Sequence, residues 1–269
     1  MPKAYVNGIN IDYKVQGQGE PLVLIMGYSG DKTGWMVQTR ACKRHFRVVT
    51  FDNRGVGKSD KPTGAYSMRM MADDTVGLMD HLGIEKAHIL GVSMGGMIAQ
   101  ELAINYPERV NRLILGCTAA GRSESSGISQ EFPKALGLGE NYTDDEVRGL
   151  PIIKVVDSLI SSAFNKCVYR TLLIALAKIQ FRLSETTGLT GQLEAVLGHN
   201  TFDRLPVIQA PTLVTAGTGD KIIMPSSAEV LANGIPGARL VKFEGGSHAF
   251  FIEMRGEFNR VVLDFLRGG

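Results

Sequence analysis

Four apolar runs, Pro21–Met26, Phe46–Phe51, Ala87–Val92 and Val110–Leu115, constrain the fold more than any other feature of this chain. None alternates apolar with polar residues, so each reads as a strand buried on both faces. Segments of helical period lie between them. Arg69–Leu82 places Met71, Val76, Leu78, Met79 and Leu82 at helical spacing and meets Gly83, a C-terminal stop. Gly95–Asn105 is helical and closes before Pro107. Strands alternating with helices predict a mostly parallel sheet covered by helices on both faces. The pattern resumes with strand Thr212–Ala216, helix Ser226–Asn233, strand Arg239–Phe243 and a closing helix Glu253–Leu266. Ahead of it, Ala4–Ile9 and Ile11–Gln16 read as a hairpin turning at Gly8, Ile9 and Asn10.

Between Arg122 and Thr201 the strand signal stops, and stretches such as Ile152–Phe164 and Val168–Leu183 are helical instead. A structureless loop of roughly 80 residues is implausible in a compact domain. The expectation is one α/β core built from residues 1–121 and 202–269, with a helical cap, residues 122–201, inserted after the sixth strand.

Composition narrows the partners. The net charge is +2 and no cluster of Lys and Arg is dense enough for a nucleic-acid footprint. No run approaches the ~18 apolar residues of a membrane span, and the N-terminal residues do not have the form of a secretory signal. Cys42, Cys117 and Cys167 are scattered, without a CxxC pair or metal-ligand spacing, which fits reduced thiols in a cytoplasmic protein. A small-molecule partner is expected; oligomeric state is not readable.

The segment Gly91-Val92-Ser93-Met94-Gly95 is a G-x-S-x-G pentapeptide with a strand before it and a helix after it. A serine on so sharp a strand-to-helix turn is strained and stands clear of the sheet. The helix N-terminus beneath it favours developing negative charge. The plain alternative is a glycine-rich loop in which Ser93 only caps the helix; the flanking strand and helix favour a nucleophile.

A serine hydroxyl needs a base to take its proton. Of the five histidines, His45 and His88 fall at the N-terminal ends of strands, His81 lies in a helix and His199 belongs to the end of the insertion. His248 follows the last strand, at the sheet edge where functional groups of such folds gather. The acid that orients it should come from another strand end. Thr212–Ala216 leads through Gly217-Thr218-Gly219 to Asp220, which would accept the imidazole's Nδ1–H and fix its tautomer. The competing readings are a surface histidine and a turn aspartate bonded to its own backbone. Donors for an oxyanion would be the backbone N–H of Met94 and, from the loop Gly27-Tyr28-Ser29-Gly30, that of Tyr28.

These residues resemble the α/β-hydrolase superfamily over essentially the whole chain. The resemblance is carried by the GYSG loop, FDNRGVGKSD at Phe51–Asp60, GVSMGG, APTLVTAGTGD at Ala210–Asp220 and GGSHAFFIE at Gly245–Glu253. It is strongest to bacterial carboxylesterases and the enol-lactone hydrolases of aromatic degradation. The resemblance implies an apolar acyl or lactone pocket under the cap, and neither a metal nor an organic cofactor. Its first implication is carboxylester hydrolysis through an acyl-enzyme. The alternatives are opening of an enol-lactone or hydrolysis of a carbon–carbon bond by the same groups. A perhydrolase or haloperoxidase, and a non-catalytic ligand receptor, are weaker readings. Three departures bear on these. Met26 stands where the family usually has His before the oxyanion glycine. Ser29 replaces the Pro usual in cofactor-free haloperoxidases and perhydrolases. Arg54 precedes Gly55 where carbon–carbon hydrolases often carry Pro. Ser at position 93, rather than Asp, disfavours dehalogenase and epoxide hydrolase chemistry.

Overall fold

The apolar runs become the centre of an eight-stranded sheet in a computed structural model that describes residues 2–121 and 186–268. In chain order the strands are β1 (Lys3–Val6), β2 (Ile9–Gln16), β3 (Pro21–Ile25), β4 (Arg47–Phe51), β5 (Ala87–Val92), β6 (Val110–Gly116), β7 (Thr212–Gly217) and β8 (Arg239–Phe243). Their spatial order is β1-β2-β4-β3-β5-β6-β7-β8. β1 and β2 run antiparallel to their neighbours, and every pairing from β4 to β8 is parallel. β5 and β7 are buried at every residue, as expected of strands with helices on both sides.

The helices are α1 (Met36–Cys42), α2 (Met68–His81), α3 (Met94–Asn105), α4 (Thr186–Leu197), α5 (Ser226–Gly234), α6 (Phe250–Glu253) and α7 (Arg255–Leu266), numbered among the described residues. Ser67 caps α2 by accepting from Met70 N–H at 3.1 Å, and Gly83 follows it at φ +65°. One core layer sets α3 against β3, β5 and β6, and α2 against α3 and β1, through Met71, Leu78, Met97, Ile98 and Leu102. The other gathers Trp35, Phe243, Phe250, Phe251 and Phe258 beneath α1 and α7.

Two expectations are corrected. The N-terminal hairpin turns at Asn7-Gly8, both at positive φ (49° and 79°), so Val6 pairs with Ile9 and β2 starts two residues earlier than expected. Asn-Gly supplies the two left-handed residues that a two-residue hairpin turn requires, so the turn falls there and not at Gly8, Ile9 and Asn10. The closing helix, expected from Glu253, starts at Arg255, and a separate short helix, α6, precedes it across Met254 (φ −106°, ψ 33°); Phe250 and Phe251 of α6 join the aromatic cluster. The short helix α1 was not anticipated.

The expected cap lies outside the described residues as far as residue 185. Near the two ends of that stretch, Gly121 and Asn200 form an antiparallel bridge, and Thr201 N–H donates to the Ala120 carbonyl at 2.6 Å. Among the described residues no helix is long and apolar enough to cross a membrane.

Candidate active site

Parallel strands bring their C-terminal ends to one edge, and there β5, β6, β7 and β8 deliver Ser93, Cys117, Asp220 and His248 in succession. Ser93 occupies the turn from β5 to α3 with φ 54° and ψ −125°, a conformation that costs a non-glycine residue about 1–3 kcal/mol. It is kept there from several sides. Ser93 N–H donates to the Gly116 carbonyl at 2.9 Å, and Thr118 Oγ1 donates to the Ser93 carbonyl at 2.8 Å. The turn is too tight for side chains beside it. A Cβ on Gly91 would lie 2.1 Å from the Gly95 carbonyl oxygen, and one on Gly95 would lie 2.1 Å from that of Ile25.

The loop after β3 runs alongside. A Cβ on Gly27 would sit 3.0 Å from the Ser93 Cβ and 3.6 Å from its Oγ, so the chain expected to carry the Tyr28 donor passes close to the hydroxyl. Met94 opens α3 directly after the serine. Met26, in place of the family's His, packs beneath this loop: its side chain occupies the space a Cβ on Gly30 or Gly34 would need. Asn53 Nδ2 donates to the Met26 carbonyl at 3.0 Å. The departure at Met26 is therefore absorbed as apolar packing under the turn.

Asp220 and His248 meet directly, with Nδ1 2.7 Å from Oδ2 and both side chains nearly buried (1% and 7% exposed). The other carboxylate oxygen accepts the backbone N–H groups of Ile222 at 2.8 Å and Ile223 at 3.1 Å. An ionised carboxylate only accepts, so the bond places a proton on Nδ1 and leaves the lone pair on Nε2. The loops that carry the two residues are locked together. Gly219 N–H donates to the Gly246 carbonyl at 2.9 Å, and a Cβ on Gly217 would lie 2.3 Å from that same oxygen.

The other histidines stand elsewhere. His88, at the N-terminal end of β5, contacts Glu20 at 2.9 Å, and burial lowers its pKa. His199 is buried beside Thr201, and burial brings it down to about 4. His81 lies on α2 near the Tyr13 hydroxyl.

Residues not singled out from the sequence also shape the site. Cys117, at φ 38°, follows β6 between Ser93 and Asp220. Burial pushes its thiol well above the usual range and the charge of Asp220 adds to the effect, so a competing thiolate is suppressed. Lys32 is buried between Asp12 and Asp52, with Nζ 2.7 Å from Asp52 Oδ2. Burial alone would lower its pKa, but the bonds and charges of the two carboxylates outweigh it and raise it. Asp52 Oδ1 further accepts Lys32 N–H at 2.9 Å, tying the end of β4 to the loop after β3. Arg54 forms a buried two-pronged pair with Asp74 (2.5 and 2.7 Å). In the sequence Arg54 stands out only as a departure from the Pro of carbon–carbon hydrolases, and nothing in its spacing shows the partner. Among the described residues no group of three or more His, Cys, Asp or Glu could hold a metal.

The model of the alpha/beta hydrolase fold family matches residues 20–254. The chain belongs to the α/β-hydrolase superfamily. A protein named as a carbamate hydrolase, RutD, from Azorhizobium caulinodans is 29% identical, over 98% of this chain and 98% of its own. One named as a non-heme bromoperoxidase, BpoC, from Mycobacterium tuberculosis is 30% identical, over 96% and 97%. Among solved structures, the enol-lactonase from Burkholderia xenovorans superposes with a TM-score of 0.86 at 29% identity, covering 99% of this chain and all of that one. The chain is thus similar over its whole length to bacterial proteins whose named activities differ.

Proposed function

We propose that the protein is a serine hydrolase that cleaves a carboxylic ester of a small, largely apolar substrate through an acyl-enzyme. Ser93 Oγ attacks the ester carbonyl while His248 Nε2 takes its proton. The oxyanion is held by the backbone N–H groups of Tyr28 and Met94. Collapse expels the alcohol, which receives the proton from His248. Water, deprotonated by the same nitrogen, then attacks the acyl-serine, and collapse releases the acid while His248 returns the proton to Ser93 Oγ. Asp220 stays ionised throughout and stabilises the imidazolium. No cofactor enters this scheme.

The observation that carries the reading is the 2.7 Å bond from His248 Nδ1 to Asp220. It lies on the same sheet edge as a serine held at φ 54°. A side chain in so unfavourable a backbone conformation argues for a task other than capping α3. A helical cap over residues 122–201 would enclose the substrate, as in the family it resembles.

A second reading is lactone opening, favoured by the likeness to the enol-lactonase; the scheme is the same with the alcohol remaining on the product. Hydrolysis of a carbamate or of a carbon–carbon bond would use the same groups, since chemistry on this fold is set by the pocket. The reading as a bromoperoxidase is weakened by Ser29 in place of Pro.

The test is steady-state turnover of short-chain p-nitrophenyl esters beside a panel of lactones, carbamates and vinylogous diketones. Ester turnover that disappears in Ser93→Ala supports the proposal. Turnover of none of these carbonyl substrates, or ester turnover undiminished in Ser93→Ala, refutes it.

A further inference from the structure

The turn that carries the Tyr28 donor is held by a residue outside the catalytic groups. Gly30 N–H donates to the Gly27 carbonyl at 3.1 Å, closing a four-residue turn over Gly27–Gly30. Ser29 occupies its third position at φ 59°, whereas Tyr28 is not at positive φ. That combination defines a type II turn, which strongly favours glycine third. With serine there, the 28–29 peptide gains by flipping over and returning Ser29 to negative φ, as in a type I turn. Something must oppose the flip.

Gln192, fully buried on α4, is placed to do so. Its side-chain Oε1 accepts Ser29 N–H, the amide of that same peptide, at 3.0 Å. Its Nε2 donates to the Arg54 carbonyl at 2.8 Å, in the loop after β4. A flipped peptide would turn the Tyr28 carbonyl toward Oε1, acceptor against acceptor. The close approach of α4 is written in its glycines. A Cβ on Gly188 would lie 2.2 Å from the Gly55 carbonyl oxygen, and one on Gly191 2.9 Å from the Tyr66 ring. Arg54, the far anchor, is itself fixed by its buried pair with Asp74.

We infer that Gln192 is a positioning residue for the oxyanion loop: by fixing the 28–29 peptide it sets the path of the turn, and with it the place of the adjoining 27–28 peptide, whose Tyr28 N–H faces the reacting carbonyl. The inference rests on the serine-hydrolase reading for its catalytic consequence and on geometry alone for the clamp. A donor displaced by about 1 Å is worth up to roughly a hundredfold in rate.

The experiment compares wild type with Gln192→Met, which keeps the side-chain length and removes both bonds, and with Gln192→Glu. A protonated Glu can accept from Ser29 and donate to Arg54, and burial favours that neutral form. Expected for Gln192→Met, at equal folded fraction, is a kcat about 10- to 100-fold lower with KM changed by less than about threefold. Amide hydrogen exchange across residues 27–31 should become faster. For Gln192→Glu, kcat relative to wild type should recover as the pH falls from about 8 to about 6. The inference is overturned if Gln192→Met keeps kcat within about twofold, if only KM rises, or if exchange at 27–31 is unchanged. Should the wild type turn over no ester, the functional reading fails separately. Exchange alone then decides the clamp: faster in Gln192→Met upholds it, unchanged refutes it.

Discussion

Replacing Asp220 by Asn should nearly abolish turnover, because the rest of the structure dictates how the new amide must lie. Oδ1 of Asp220 accepts two backbone N–H groups, from Ile222 and Ile223, while Oδ2 faces His248 Nδ1 at 2.7 Å. In Asp220→Asn the amide oxygen must stay on the two N–H groups, since an NH2 placed there would set donor against donor. The NH2 therefore points at Nδ1 and donates to it. Nδ1 becomes the acceptor, the imidazole proton moves to Nε2, and the nitrogen that should take the proton of Ser93 already carries one. Loss of the tautomer and of the charge that stabilises the imidazolium amounts to about 10³- to 10⁴-fold in kcat, on the order of 4–5 kcal/mol. KM should change little, because substrate binding does not use this bond. The assay is steady-state hydrolysis of a p-nitrophenyl ester at neutral pH, with circular dichroism confirming the fold. Retention of more than about a tenth of kcat would refute the assigned role of Asp220.

Other perturbations probe the scaffold. Ser93→Gly relieves the φ 54° strain but adds freedom to the unfolded chain, so denaturant melts should show a net gain of up to about 1 kcal/mol alongside lost activity. Gly95→Ala forces a Cβ to 2.1 Å from the Ile25 carbonyl oxygen and should cost more than about 3 kcal/mol, read as a large fall in the denaturation midpoint or as insoluble expression. Burial lowers the His199 pKa from 6.5 to about 4, so folding favours its neutral form. That contribution is complete above pH 6.5 and is lost as pH falls from there toward about 4, when the unfolded chain takes up the proton first. Thermal melts of His199→Gln across that window should show a shallower acid slope than wild type; an identical slope would contradict the assignment.

Much of this was legible in the chain. Strands buried on both faces announce themselves as apolar runs, so the sequence reading of β5 matches to the residue and those of β3, β4, β6 and β7 to within one; β8 also matches to the residue, although Phe243 alone of its five residues is buried. The bounds of α2 and α3 likewise fell within a residue. The turn that carries Ser93 is equally visible, because glycines at 91 and 95 reflect contacts a side chain could not survive. The hairpin differs because the turn falls at Asn7-Gly8 rather than at Gly8, Ile9 and Asn10, and the short helix α6 ahead of Met254 is too brief for a helical period to show in the sequence. Asp220 and His248 were found from position along the chain; their contact is a product of the paired loops after β7 and β8. Gln192, Lys32 and Asp74 were illegible for a common reason. Each acts through a partner distant in sequence, and the residues beside a polar side chain in the chain do not reveal which distant group it will satisfy.

The most direct test of the central claim is a titration of esterase activity against covalent modification by a fluorophosphonate, with the adduct located by peptide mass spectrometry. Activity should fall in proportion to a single adduct on Ser93, Ser93→Ala should take up none, and His248→Ala should react far more slowly. An adduct on another residue, or esterase activity that survives full modification of Ser93, would contradict that claim.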